Sequence, residues 1–255
     1  MKNVKFALLL GLSSVLTIGC SSSASEDFEE INQGVSKKII KSISTVSNLD
    51  FLGNNSVVLV YDADKKLKDI NAVRGVKSTS ISYSNTGSSI EISGDESEVF
   101  NVEKLYKSPY DALERGEVIE YDANKNPYKI AFNEEEYDDS NNEVVIKKYV
   151  AELTYDDAPN PYFYTLEAAG IIAILDRVEL DFTVNPQATE IIKARALFPV
   201  NNLSRIVYKN EENEVKHSIT IDYEYDKDNY PVKGVATSIG TSGDTDTISV
   251  TYEYE

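Results

Sequence analysis

Ile221-Asp222-Tyr223-Glu224-Tyr225-Asp226-Lys227-Asp228-Asn229-Tyr230-Pro231-Val232-Lys233 reads as a strand, a turn and the start of a second strand. Tyr223 and Tyr225 alternate with Asp222, Glu224 and Asp226, and a period of two puts the rings on one face and the carboxylates on the other. Asp226 to Tyr230 is polar turn chemistry. Pro231 lacks a backbone donor, so the outgoing strand must begin there or lie at an edge.

The unit recurs. Aligned on Tyr-Asp, its copies are Tyr61-Asp62-Ala63-Asp64-Lys65-Lys66-Leu67, Tyr121-Asp122-Ala123-Asn124-Lys125-Asn126-Pro127 and Tyr155-Asp156-Asp157-Ala158-Pro159-Asn160-Pro161. Pro127, Pro161 and Pro231 each stand six residues after their tyrosine, with Leu67 at the same offset. Looser copies begin at Tyr83 and Tyr208, and the chain closes on Val250-Thr251-Tyr252-Glu253-Tyr254-Glu255. A lone hairpin is marginally stable, so the units must pair side by side. Their uneven spacing favours a meander with insertions over a strict solenoid or propeller.

The Tyr-Asp copies, with Ile70 and Ile130 nine residues after their tyrosines, resemble the YD repeat of Rhs-type proteins, except that Lys65 and Lys125 replace the usual glycine. The layout over residues 37–255 is more similar to an uncharacterised family of Bacteroidota-type lipoproteins described as having a porin-like fold. That resemblance implies a fold and an envelope location; it brings no activity.

Met1 to Gly19 has the make-up of a signal peptide: Lys2 and Lys5, then an apolar run from Phe6 to Ile18 too short for a comfortable membrane span. Cys20, the single cysteine, follows Leu16-Thr17-Ile18-Gly19, which resembles a lipobox with its leucine displaced by one. The alternative is cleavage after Ala24 with an incidental cysteine. Acylation of Cys20 with palmitate-type chains would hold the protein on a membrane, since each buried methylene contributes about 0.8 kcal/mol, and would leave no thiol for disulfides or catalysis. Residues 20–36, serine-rich and then acidic, have the composition of a flexible tether. Acidic residues soon after the cysteine also resemble a surface-export signal in the family's hosts, so the periplasmic and the surface-exposed side of the outer membrane both stay open.

From Lys37, short β-branched runs alternate with turn clusters, and residues 37–255 are expected to form one antiparallel domain, a rolled sheet or partly closed barrel. Two stretches depart from this. Leu166 to Leu175 is almost wholly apolar and follows Thr165, a possible N-cap; a helix over 165–177 or a buried strand both fit. Asn185, Pro186 and the spacing of Ala188, Ile191, Ile192 and Ala196 predict a helix over 186–197. Asp111 to Glu114 reads as one helical turn. The helices are expected to pack on the concave side of the sheet.

Forty-three acidic against 25 basic residues give a net charge of −18, and removing Lys2 and Lys5 makes the remainder more acidic still. Such a surface repels nucleic acid and anionic lipid, so the expected membrane contact is the anchor on Cys20. No phosphate loop, metal spacing or nucleophile elbow is present, and no cofactor or metal is expected. His217, the single histidine, lies in an alternating strand without a serine motif. The acidic run Glu134 to Glu143, and Asp244 with Asp246, read as solvated loops, lacking calcium-loop spacing. Seventeen tyrosines without tryptophan are either cross-strand packing or a glycan-stacking surface.

These readings converge on a non-enzymatic envelope lipoprotein acting in binding or surface structure, with a polysaccharide or another envelope protein as partner. The alternatives are glycan binding through exposed tyrosines, a hydrolase using paired carboxylates, and a carrier of an apolar ligand. Cys20 is the expected lipidation site. Tyr61, Asp62, Tyr121, Asp122, Pro127, Tyr155, Asp156, Pro161, Tyr223, Tyr225, Asp226, Pro231, Tyr252 and Tyr254 are the expected architectural residues.

Overall fold

The computed structural model of the protein describes residues 23–48, 54–74, 77–85, 90–93, 99–101, 117–138, 140–177, 179–181, 191–193 and 198–255. Cys20 and the turn at 111–114 lie outside them. The chain runs α1 (Ala24–Ile31), β1 (Ile40–Ser47), β2 (Asn55–Tyr61), β3 (Leu67–Arg74), β4 (Lys77–Asn85), β5 (Ile90–Ser93), β6 (Val99–Asn101), β7 (Glu117–Tyr121), β8 (Pro127–Asp138) and β9 (Glu143–Pro159). It continues with α2 (Phe163–Ala168), α3 (Ile171–Leu175), β10 (Glu179–Asp181), β11 (Ile191–Lys193), β12 (Asn201–Asn210), β13 (Val215–Tyr225), β14 (Pro231–Gly240) and β15 (Thr245–Tyr254).

Thirteen strands form one antiparallel sheet in the order β6-β5-β4-β3-β2-β1-β15-β14-β13-β12-β9-β8-β7. Among the described residues β6 and β7 remain its two edges, so the sheet is open rather than closed into a barrel. The first and last described strands meet inside it: β1 pairs with β15, Ile43 opposite Tyr252.

The Tyr-Asp units explain the meander. In the turns after Tyr61, Tyr121 and Tyr225 the aspartate N–H donates to the carbonyl four places on, as Asp62 N–H does to Lys66 O at 2.9 Å. Its Oδ1 also accepts two amides, Asp64 and Lys66 N–H at 2.9 Å in the first copy. The residue three places after the aspartate is left-handed: Lys65, Lys125 and Asn229 have φ of 61°, 65° and 63°. That is where the resembling repeat carries glycine. A side chain in this region costs about 1–2 kcal/mol, and the Asp-centred hydrogen bonds offset it. The Tyr208 copy closes the same turn with Asn210 and a left-handed Asn213.

The fourth strict copy differs. Three places after Asp156 stands Pro159, whose ring locks φ near −65° and forbids the left-handed residue. Accordingly Tyr155, Asp156 and Pro159 stay within β9, and Pro161 sits in the turn leading to α2 rather than opening a strand. Pro127 and Pro231 do open strands, β8 and β14.

Four further expectations are corrected. The helix over 165–177 is broken by Gly170 (φ 77°) into α2 and α3; a Cβ there would lie 2.3 Å from Asn85 Nδ2. Thr165 is not an N-cap: it lies inside α2, where its Oγ1 accepts Ile40 N–H at 2.8 Å. The helix over 186–197 gives way at Ile191–Lys193 to a strand paired with Glu179–Asp181, in keeping with the β-branched pair Ile191-Ile192, and the rest of that span lies outside the described residues. The acidic run is not a loop either: β8 continues to Asp138 and β9 begins at Glu143, so only a short turn separates them.

The expected tether over 20–36 departs most from expectation, because its described part, residues 23–36, is packed structure. Ser23 and Glu26 form a capping box that starts α1. Phe28 is fully buried and stacks on Phe163, and Ala24 N–H donates to Asp176 Oδ1 at 2.9 Å. Helices α1 to α3 thus cap one end of the sheet, where Leu67, Tyr83, Tyr230, Phe28, Phe163 and Ile172 share the core.

Candidate functional site

Strand register separates two faces. Phe132, Tyr149, Tyr208, His217, Ile219, Ile221, Ile248, Val250, Ile43, Val57 and Leu59 follow one another on one face through successive cross-strand pairs. The other carries Lys129, Glu152, Lys209, Thr220, Lys233 and Thr251. The core at the helical end belongs to the apolar face: Leu59, Tyr61, Ile70 and Tyr254 pack against the buried cluster there.

At that end four of the repeat tyrosines bond to backbone carbonyls. Each donates its hydroxyl to a carbonyl at or near the start of the adjacent strand: Tyr61 to Ile40 O (2.6 Å), Tyr155 to Pro127 O (2.8 Å), Tyr223 to Leu203 O (3.0 Å) and Tyr254 to Pro231 O (2.7 Å). These carbonyls stand where a strand begins under the helical cap, and the phenols satisfy them without water. Tyr223 and Tyr225 do not lie beside Tyr252 and Tyr254, since β14 runs between. Instead the Tyr223 ring covers Gly234, where a Cβ would meet its Cε1 at 2.8 Å. Tyr252 is buried, its hydroxyl 3.2 Å from that of Tyr162. Tyr225 and Tyr121 are exposed, and Tyr225 donates to Asp156, which also accepts from Asn202.

Asn126 and Asn201, which no sequence motif singles out, are buried beneath this end. Asn126 Oδ1 accepts from Val200 N–H (2.7 Å) and Asn201 N–H (3.1 Å), and its Nδ2 donates to Asn201 Oδ1 and Asp122 Oδ2.

Burial pushes the Tyr61 and Tyr223 hydroxyls up to about 12. An unfolded tyrosine ionises near pH 10. The folded form keeps its proton longer, so this contribution is complete below pH 10 and is lost as pH rises towards 12. A tyrosinate absorbance titration should therefore rise together with loss of circular-dichroism β signal in that window, while Tyr223→Phe, which cannot ionise, should shift the transition to higher pH.

At the opposite end of the strands the apolar face opens into a trough of about 420 Å³ lined by Phe132, Glu134, Tyr149, Tyr208, Lys216, His217 and Ile219. Its rings cross four neighbouring strands: Phe132 stacks on Tyr149 (5.7 Å between centroids) and meets Tyr208 edge-on (5.9 Å), and Tyr208 meets His217 edge-on (5.8 Å). The polar groups around the trough are already oriented. Tyr149 donates to Glu136, which pushes its phenol up to about 12, and His217 Nε2 lies 2.9 Å from Ser238 Oγ. Lys216 pairs with Glu214 and Lys147 with Glu136. Of these residues the sequence reading named His217, the acidic run and, as a loose repeat copy, Tyr208, but did not bring them together, because rings from β8, β9, β12 and β13 become neighbours only through sheet pairing. Among the described residues no cluster of three metal-ligating side chains occurs.

No protein-family model and no curated protein match the chain. Among solved structures it is similar to a porin-like protein from Bacteroides uniformis (TM-score 0.39, 9% identity, 85% of this chain and 98% of that one). It is also similar to a porin-like protein from Bacteroides vulgatus (0.31, 11%, 85% and 99%). A third is a putative outer membrane lipoprotein-sorting protein domain from Vibrio parahaemolyticus (0.27, 5%, 91% and 90%). At these scores the likeness carries no argument about role.

Proposed function

We propose that the chain is a non-catalytic, lipid-anchored protein of the cell envelope that binds a ligand in the aromatic trough of its open sheet. The observation that carries the binding half is the trough itself: a concave site within the roughly 300–1,000 Å³ of small-molecule sites, walled by rings and rimmed by a few oriented polar groups. The anchor rests on the leader-like residues 1–19 and the lipobox-like approach to Cys20.

Carboxylate chemistry supports a non-catalytic reading. A carboxyl acting as general acid near neutral pH needs its pKa pushed upward. Glu136, Asp138 and Glu214 are instead held below the usual range by Lys147, Ser140 and Lys216 respectively. Burial acts upward on Asp226, but Lys38 and the turn amides outweigh it.

Cys20 stands four residues before Ala24, the first residue of α1, and α1 packs at the helical end. The trough lies at the other end of strands such as β14, ten residues or about 33 Å long. A chain acylated at Cys20 would be tied to its membrane through the segment that leads into α1, with the trough directed away from it.

Metabolic labelling with an alkyne analogue of palmitate, in a host that processes lipoproteins, tests the anchor. The wild-type chain should take up the label and partition into detergent, and Cys20→Ala should carry none. Equal labelling of both chains would overturn the lipoprotein reading.

A further inference from the structure

We propose that the ligand of the trough is a neutral oligosaccharide stacked on Phe132, Tyr149 and Tyr208; this rests on the trough being the binding site. Three features of the site select that chemistry.

The row of rings crosses β8, β9, β12 and β13, neighbouring strands about 4.8 Å apart, so it presents a strip about 14 Å long. A strip of that extent suits the carbon–hydrogen faces of consecutive sugar rings, because an aromatic face carries negative potential and attracts polarised C–H groups. The second feature is the rim. Glu134, Lys216 and His217 border the rings, and a hydrocarbon laid there would strip water from charged groups and return no hydrogen bond. Sugar hydroxyls both donate and accept, so they restore what desolvation removes.

Charge and position complete the argument. The rim cation Lys216 already faces Glu214 at 2.7 Å, and the chain carries a net charge of −18. An acidic or phosphorylated ligand would meet repulsion without a free counter-charge. The trough also stands at the end of the sheet opposite α1, the helix that follows the proposed anchor, which disfavours a membrane lipid as its occupant.

Calorimetric titration of the lipidated protein in nanodiscs, with empty nanodiscs as reference, tests this. The probes are the linear hexasaccharides of cellulose, starch, xylan and chitin, and dodecanoic acid. At least one hexasaccharide should bind saturably, its affinity falling tenfold or more in Tyr208→Leu and in Phe132→Leu, which keep apolar bulk but remove a ring. Tyr225→Leu, at the capped end, should bind as wild type. Saccharide binding weakened by Tyr225→Leu and untouched by Tyr208→Leu would overturn the inference by placing the sugar at the other end. Binding of dodecanoic acid alone, lost in Tyr208→Leu, would overturn the saccharide inference while leaving the trough as a binding site. No binding by any probe would overturn both.

Discussion

Phe28→Ala should lower the melting temperature by about 10 °C. The side chain is wholly buried, its ring stacked on Phe163 with centroids 3.7 Å apart and set edge-on to Tyr164 at 5.3 Å. Removing a buried phenylalanine costs about 3–5 kcal/mol, and in a domain of this size each kcal/mol moves the midpoint by roughly 2–4 °C. The cavity would open between α1 and α2. A scanning-calorimetry midpoint within about 1 °C of wild type would mean that residues 20–36 behave as the tether their composition suggests and that α1 adds nothing to the fold.

Asn126→Ala should be nearly as damaging, with a loss of about 3 kcal/mol or more. Its Oδ1 accepts from two buried amides, Val200 and Asn201, and its Nδ2 reaches Asn201 and Asp122. Truncation leaves donors buried without partners, at about 1–3 kcal/mol each. Asn124→Ala, which loses a part-buried bond to the same Asn201 oxygen, should cost far less. Urea unfolding of the two variants separates them. Equal midpoints would show that water enters behind Asn126 and that the network is dispensable. Asn126→Asp supplies the acceptor but sets a second carboxylate against Asp122, so its stability should recover as pH falls.

The turns were legible because each is written within six residues. An aspartate that accepts its own following amides, a residue three places on that tolerates the left-handed region, and a proline or leucine that starts the next strand are all local chemistry. The same local rule, followed one position further, explains why Tyr155 opens no hairpin: Pro159 occupies the left-handed place. The alternation of Tyr223 and Tyr225 with carboxylates likewise requires only a strand to make two faces.

The sequence by itself thus determined a meander of Asp-centred hairpins with tyrosines on the covered face, an acidic surface, and a single lone cysteine in a lipobox-like setting. Only the tertiary structure decided the rest. Phe28 becomes core because Phe163, distant in sequence, supplies its partner, and composition cannot distinguish a serine-rich tether from a capped helix. Ile191-Ile192 form strand where helical spacing predicted helix, because pairing with Glu179–Asp181 overrides a weak local preference. The trough lies furthest from local reading: Phe132, Tyr149, Tyr208 and His217 approach one another through register, and register is fixed by the sum of all cross-strand contacts rather than by any residue's neighbours in sequence.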